Sequence, residues 1–348
     1  MLFIRADGNA ETGTGHLMRC LTIAEKVKTQ VLFLCADALS ADFVRERGFG
    51  SLVLGEEAFS VAESEKLAAF LKDRSTDGDC LLIDSYRATP AYVEALSRWI
   101  KTAYMDDMGK EVYPADIIIN YNAFADRKAY EALYSRAGIK MPRLLVGSEY
   151  IPVRDAFCNK GFTVKEKPVS LLLTTGGGDA DNLAGGILQR LLKEPSLAGM
   201  QMHVVSGAFN PHYETLLKLA EEHENVTVYR NVRDMAALMA TCDIAVTAGG
   251  STVYELCALG VPFVCFSYAE NQNALIRFVA RQDIAVSAGI LKDRKEEDRR
   301  YLEENISRLA AELAVSRESR ERYGRREREL VDGGGALRLA ETLETDGL

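Results

Sequence analysis
An α/β protein of two parallel-sheet domains is what this sequence predicts, and three observations carry the prediction. Short, wholly apolar runs alternate with segments of helical periodicity, the pattern of strands covered by helices on both faces. Two such series occur, divided by a polar stretch at 158–168 that contains Lys160-Gly161, Lys165-Glu166-Lys167 and Pro168. The 348 residues of the chain exceed one ordinary core and suit two domains of about 150 to 200 residues each. The expected division is an N-terminal domain over 1–157, a linker over 158–168 and a C-terminal domain over 169–348. Each domain is expected to be Rossmann-like, with the two sheets facing a central cleft.

The chain opens on a short β-prone strand at 2–5, broken by Asp7-Gly8-Asn9. Past Gly13-Thr14-Gly15-His16, the residues Leu17, Leu21, Ala24 and Val27 recur at helical spacing, so a helix begins near Thr14 or His16. Further strands are expected at 31–35, 52–54, 80–83, 103–105, 116–119 and 144–146. Helices are expected at 41–47, 62–72 and 90–100, where Pro90 suits a first helical turn. The second series has strands at 169–174, 201–205, 226–229, 244–247 and 263–266. Its helices fall at 182–193, 213–222, 235–241, 251–259 and 274–281. The tail at 292–330 is charged and helical, with Leu302, Ile306, Leu309 and Leu313 as one apolar stripe on a solvated helix.

Hydrophobic residues make up 47% of the chain and charged residues 27%, the balance of a soluble globular protein. A net charge of −9 argues against a surface that wraps nucleic acid, yet local backbone dipoles can still hold a small anion. No apolar run approaches a membrane span, and no basic segment with a cleavable apolar stretch marks a signal peptide. The seven cysteines form no CxxC or Cys/His metal spacing, and most of them, such as Cys35, Cys80, Cys242 and Cys265, read as reduced core residues. A cytoplasmic location is expected.

Ligands of parallel sheets bind beyond the carboxyl ends of the strands, and polar clusters stand there. In the N-terminal domain these are Gly13–His16, Asp84-Ser85-Tyr86, Asp106-Asp107 and Asn120-Tyr121-Asn122. Asn and Asp at strand ends are also ordinary turn formers, but four clusters on one sheet edge point to a shared site. His16 falls in a first helical turn, where backbone N–H groups welcome an anion and a neutral histidine can accept a proton. A loop histidine that only caps the helix would show the same spacing.

In the C-terminal domain, Thr174-Thr175-Gly176-Gly177-Gly178-Asp179 lies between a strand and a helix. Three glycines allow a phosphate to approach the backbone and can present N–H groups as an anion nest. Ala248-Gly249-Gly250-Ser251-Thr252 stands likewise, and Ser251 and Thr252 can both cap the next helix and donate to a phosphate. Glu255, one turn on, either compensates the helix dipole or accepts hydrogen bonds from a ribose diol. Neither cluster fits the GxGxxG fingerprint and no GxxxxGK[ST] loop occurs, so NAD-dependent chemistry and ATP hydrolysis are poorly supported. His203, His212 and His223 read as structural or surface residues.

Taken in order, these motifs resemble a known family. They are Gly13-x-Gly15-His16-x-x-Arg19-Cys20, Asp84-Ser85-Tyr86, Asp106-Asp107, Asn120-x-Asn122-Ala123, Gly176-Gly177-Gly178-Asp179, Gly249-Gly250-Ser251-Thr252-x-x-Glu255 and Glu270-Asn271-Gln272. The chain resembles the UDP-sugar hydrolase family of pseudaminic acid biosynthesis, which includes proteins named for spore-coat polysaccharide biosynthesis. More distantly it is similar to the UDP-N-acetylglucosamine transferase of peptidoglycan synthesis, which shares the two-domain glycosyltransferase-B fold. The resemblance spans residues 1–285 and the segment Asp332-Gly333-Gly334-Gly335-Ala336.

The resemblance implies hydrolysis of UDP-2,4-diacetamido-2,4,6-trideoxy-β-L-altropyranose to free sugar and UDP, without a cofactor. It implies His16 as general base in the N-terminal domain and the nucleotide on the C-terminal one. Glu255 would hold the ribose, and Gly176, Gly177, Gly178, Gly250, Ser251 and Thr252 the pyrophosphate. Tyr86 and Asn271 match positions on the sugar side, Arg154 matches a common family segment, and Gly13, Gly15, Arg19 and Asn122 lie in the matching motifs. Where some relatives carry a histidine in the Asp84 motif, this chain has Ser85.

The residue types suit that chemistry. Water attacks the anomeric carbon opposite UDP, with inversion, while a positioned base supplies about 10²–10⁴-fold. No metal is called for, although Asp106-Asp107 is the pair that could hold a cation. One alternative is an inverting glycosyltransferase that passes the sugar to an acceptor hydroxyl; the other is a non-catalytic nucleotide-sugar-binding protein, which would not need His16. The expected partner is a small UDP-sugar and not a nucleic acid, and a monomer suffices.

Overall fold
The computed structural model describes every residue except 9–13, 159–160, 162, 208–209, 231, 294 and 346–348. The chain divides into two compact units, Met1–Val153 with Gly334–Leu348, and Arg154–Gly333.

The first unit runs β1 (Leu2–Ala6), α1 (Gly15–Ala24), β2 (Val31–Cys35), α2 (Ala38–Arg45), β3 (Gly50–Val53), α3 (Val61–Arg74) and β4 (Cys80–Asp84). It continues with α4 (Pro90–Ser97), β5 (Lys101–Met105), β6 (Ile117–Asn120), α5 (Arg127–Ala137) and β7 (Arg143–Val146). The strands pair in parallel in the order β3-β2-β1-β4-β5-β6-β7. Alternation along the strands splits the core. Leu2 and Ile4 face Leu17 and Leu21 of α1 and Val44 of α2, whereas Phe3 faces Leu67 and Leu71 of α3 and Tyr92 and Leu96 of α4. Side chains of Asp37, Ser60 and Thr89 each accept an amide of the helix they precede, which fixes where α2, α3 and α4 start.

The second unit comprises β8 (Ser170–Thr174), α6 (Leu183–Lys193), β9 (Gln201–Ser206), α7 (Tyr213–Glu221), β10 (Val226–Arg230) and α8 (Met235–Thr241). Then come β11 (Ile244–Ala248), α9 (Thr252–Leu259), β12 (Phe263–Ser267), α10 (Asn273–Arg281), β13 (Val286–Ile290), α11 (Glu296–Val315) and α12 (Arg317–Leu330). Its parallel sheet has the order β10-β9-β8-β11-β12-β13. The charged tail is two helices, and α11 is less solvated than expected: Leu302, Ile306 and Leu313 are buried in the core with Leu183 and Ile187 of α6.

Three elements escape the sequence reading. In α5 only Tyr130 and Tyr134 are buried, in a helix otherwise rich in charged and small residues. Ser287 and Gly289 interrupt the apolar run of β13. The third is α13 (Gly335–Thr345), and with it the expected domain boundaries need correcting. Sequence places 334–348 in the C-terminal domain, but Leu339, Ala340 and Leu343 share the first unit's core with Leu17 and Cys20. At the other crossing the second unit begins at Arg154, ahead of the expected linker. A Cβ on Gly335 would strike the backbone of Ile151, so only glycine lets the returning chain approach so closely.

Candidate active site and nucleotide-binding loops
The order of the first sheet puts β1, β4, β5 and β6 side by side, so the segments that follow them share one edge. Helix α1 starts at Gly15, between the two expected positions, and its carbonyl-to-amide ladder opens with Met18 N to Thr14 O at 2.9 Å. His16 is in its first turn, and Arg19 lies three residues on, on the same helical face.

Both residues meet Asp84, at the end of β4. The His16 Nδ1 atom lies 2.7 Å from Asp84 Oδ1. Arg19 Nε donates to Asp84 Oδ2 at 2.6 Å, and Arg19 Nη2 donates to Oδ1. A carboxylate only accepts, so the His16 nitrogen that faces it carries a proton and Nε2 is left as the basic atom. Arg19 Nη2 is 3.0 Å from the same His16 Nδ1; both donors converge on one oxygen. Burial alone would raise the Asp84 carboxyl. The Arg19 charge and the hydrogen bonds from Arg19 and His16 override it and hold that carboxyl well below the usual range.

The other end of Arg19 is held as firmly. Its Nη1 donates to Asp107 Oδ2 and to Tyr121 Oη, each at 2.7 Å. Tyr86 Oη donates to the same Asp107 oxygen at 2.9 Å, and Asn122 Nδ2 to Asp107 Oδ1 at 3.3 Å. The Tyr86 ring stands edge-on to His16 with centroids 4.8 Å apart. Thus His16, Arg19, Tyr86 and Asn122 come together as one cluster. Asp84, Asp107 and Tyr121 complete it; sequence shows them only as strand-end residues, and strand order was the missing signal.

Gly15 is exposed, and a Cβ on it would meet nothing described within 4 Å. Gly13 lies outside the described residues. Asp106 faces away from the cluster: its Oδ1 accepts from Met108 N at 2.9 Å and Gly109 N at 3.0 Å, and its Oδ2 from Tyr130 Oη at 3.0 Å. Among the described residues, no group of three or more His, Cys, Asp or Glu is placed to hold a metal ion. No described helix is long and apolar enough to cross a membrane.

In the second unit, β8 and β11 are neighbours, paired at Thr174 and Thr247, so the glycine loops that follow them lie side by side. Gly176 has φ +89°, and a Cβ on Gly176, Gly177, Gly178 or Gly250 would meet nothing within 4 Å. Ser251 is exposed and Thr252 half-buried at the start of α9. The expected Ser251 cap is not made: Ser251 itself has helical φ and ψ, which turns its hydroxyl away from the amides ahead. Glu255 accepts from Arg154 Nη2 at 3.1 Å, and burial raises its carboxyl against the pull of that guanidinium. Arg154 therefore belongs to this unit and to Glu255, not to the N-terminal cluster. Asn271 is exposed in the 3-10 turn Glu270–Gln272.

Comparison with known proteins fits this architecture. The chain is 27% identical to the spore coat polysaccharide biosynthesis protein SpsG of Bacillus subtilis over 352 aligned residues, 98% of this chain and 97% of the relative. It is 24% identical to the UDP-2,4-diacetamido-2,4,6-trideoxy-β-L-altropyranose hydrolase of Campylobacter jejuni, over 82% of this chain and 98% of that one. Among solved structures, MurG of Acinetobacter baumannii superposes with a TM-score of 0.65 at 13% identity, covering 99% of both chains. The Anabaena protein Alr3699/HepE, solved in complex with UDP, superposes with a TM-score of 0.61 at 14% identity, again over 99% of both. Residues 171–331 match the model of the glycosyltransferase family 28 C-terminal domain. The two parallel-sheet units are those of the glycosyltransferase-B fold, and the second of them is similar to the C-terminal domain of glycosyltransferase family 28.

Proposed function
We propose that this protein is a UDP-sugar hydrolase acting on UDP-2,4-diacetamido-2,4,6-trideoxy-β-L-altropyranose or a close UDP-amino-sugar, in cytoplasmic nonulosonic acid biosynthesis. The observation that carries the reading is the Asp84–His16 pair, at 2.7 Å, which leaves Nε2 of His16 as a base. Water attacks the anomeric carbon from the face opposite UDP. Its proton passes to His16 Nε2, its oxygen bonds to carbon, and the carbon–oxygen bond to the diphosphate breaks with its electrons going to UDP. The sugar leaves with inverted configuration. Tyr86 and Asn122 bound the sugar's position, and Gly15 opens the start of α1 to it. In the second unit, Gly176–Gly178 and Gly250–Thr252 take up the growing charge on the diphosphate through backbone amides and hydroxyls. Glu255, which accepts from Arg154 Nη2, is assigned to the ribose diol, and Asn271 to the sugar side of the donor.

The similarity to the Campylobacter hydrolase supports water as the acceptor. A second reading, transfer of the sugar to an acceptor hydroxyl for a surface or spore-coat polysaccharide, is favoured by the family 28 match over residues 171–331. Incubation of the UDP-sugar in ¹⁸O-water, with mass spectrometry of both products, separates them. Label in the free sugar alone means hydrolysis at the anomeric carbon; label in UDP means attack at phosphorus; no turnover until an acceptor is added means a transferase. Separately, Glu255→Ala should raise the UDP dissociation constant about ten- to a hundredfold, the worth of hydrogen bonds to a carboxylate. Calorimetry that returns an unchanged constant would remove the ribose assignment.

A further inference from the structure
The glycine loop after β8 is gripped by its carbonyls. Tyr268, just past the end of β12, places its hydroxyl 2.8 Å from Thr175 O and 2.8 Å from Gly178 O, so one proton serves two carbonyls. His212 Nε2 lies 3.0 Å from Ala180 O; a carbonyl only accepts, so that nitrogen is the protonated one. Gly207, directly after β9, packs on the carbonyl groups of Gly176 and Gly177 so closely that a Cβ there would overlap both. A Cβ on Gly176, Gly177 or Gly178, by contrast, would meet nothing within 4 Å.

A trans peptide points its N–H away from its C=O. The Gly176 and Gly177 carbonyls against Gly207 therefore turn the amides of Gly177 and Gly178 away from it. Tyr268 holds the peptides on either side, Thr175–Gly176, whose amide donates to Thr174 Oγ1 at 3.4 Å, and Gly178–Asp179. Left to itself a run of three glycines samples both orientations of each peptide, and only one of them presents donors to an anion.

We infer that Tyr268 is a positioning residue for diphosphate recognition: by holding Thr175 O and Gly178 O it fixes both ends of the loop and so the orientation of the Gly177 and Gly178 amides between them, without touching the ligand. Gly207 does the same by shape, as the only residue type that fits against the loop. This rests on the nucleotide reading above and adds to it the residue that sets affinity for the phosphates. The effect is one of preorganisation, which acts by lowering the entropy lost on binding.

The test is calorimetry with UDP and with uridine on the full chain, for wild type and Tyr268→Phe, alongside thermal melting. The aromatic ring and its packing stay, and only the hydroxyl is lost. UDP affinity should fall about tenfold, with uridine affinity and melting temperature nearly unchanged. Gly207→Ala should weaken UDP in the same selective way. Equal losses for uridine and UDP would show a general packing role and overturn the inference, as would an unaltered UDP constant in Tyr268→Phe. A wild-type protein that binds no UDP would overturn the nucleotide reading itself, a result that no Tyr268 variant can mimic.

Discussion

Replacing His16 with asparagine should lower turnover of the UDP-sugar by about 10²–10⁴-fold, the usual contribution of a positioned general base. Asparagine can still donate from its amide toward Asp84, so the 2.7 Å contact at Oδ1 and the fold around it are preserved. What it lacks is a basic atom on the far side. UDP affinity and melting temperature should therefore stay close to wild type, because the loops proposed to hold the nucleotide belong to the other compact unit. Steady-state kinetics decide it: turnover within tenfold of wild type would mean that His16 does not take the proton.

The second large effect is expected at Asp84. Asp84→Asn keeps the shape but removes the charge that lies between His16 and Arg19. Two things should follow. Turnover should drop about as far as in the histidine variant, since an amide can present N–H to His16 Nδ1 and reverse the tautomer that leaves Nε2 basic. Stability should fall by about 3–5 kcal/mol, the cost of breaking a buried ion pair, although Asp107 still accepts from Arg19 at 2.7 Å. The acid limb gives the sign. A carboxyl held below its unfolded value stabilises the protein above the ordinary carboxylate range, and this is lost as pH falls. The stability gap between wild type and Asp84→Asn in urea melts should thus be full at neutral pH and shrink below about pH 4. A gap that is constant down to strongly acid pH would show that the Asp84 charge contributes nothing.

Much of this fold is legible in the sequence because its strands are buried on both faces. Runs such as Leu81-Leu82-Ile83 and Ile117-Ile118-Ile119 are apolar at every position and buried at every position, and period alone finds them. The site is legible one residue at a time. His16 and Arg19 follow from helical spacing, and the clusters at Asp84, Asp107 and Asn122 from standing at strand ends. Their partnership is not legible, because Arg19 reaches carboxylates 65 and 88 positions away, and only the order of β1, β4 and β5 brings those within range. The Ser251 cap fails for a local reason: residue type permits it, but backbone dihedrals decide it. Tyr268 gives no sequence signal, since a tyrosine after a strand reads as one more apolar position.

The place of α13 has a consequence for how the protein is made. The helix that completes the first unit's core follows the whole of the second unit in the chain. During synthesis α1 emerges early, but the Leu339, Ala340 and Leu343 side chains that cover it arrive only after β8 through α12 have been translated. Domains generally fold as they leave the ribosome, the N-terminal one first. Here the second unit, contiguous in sequence, can finish while the first still exposes the apolar surface of α1. The nascent chain thus carries an open hydrophobic patch while the whole second unit is translated, and α13 is the helix that closes it.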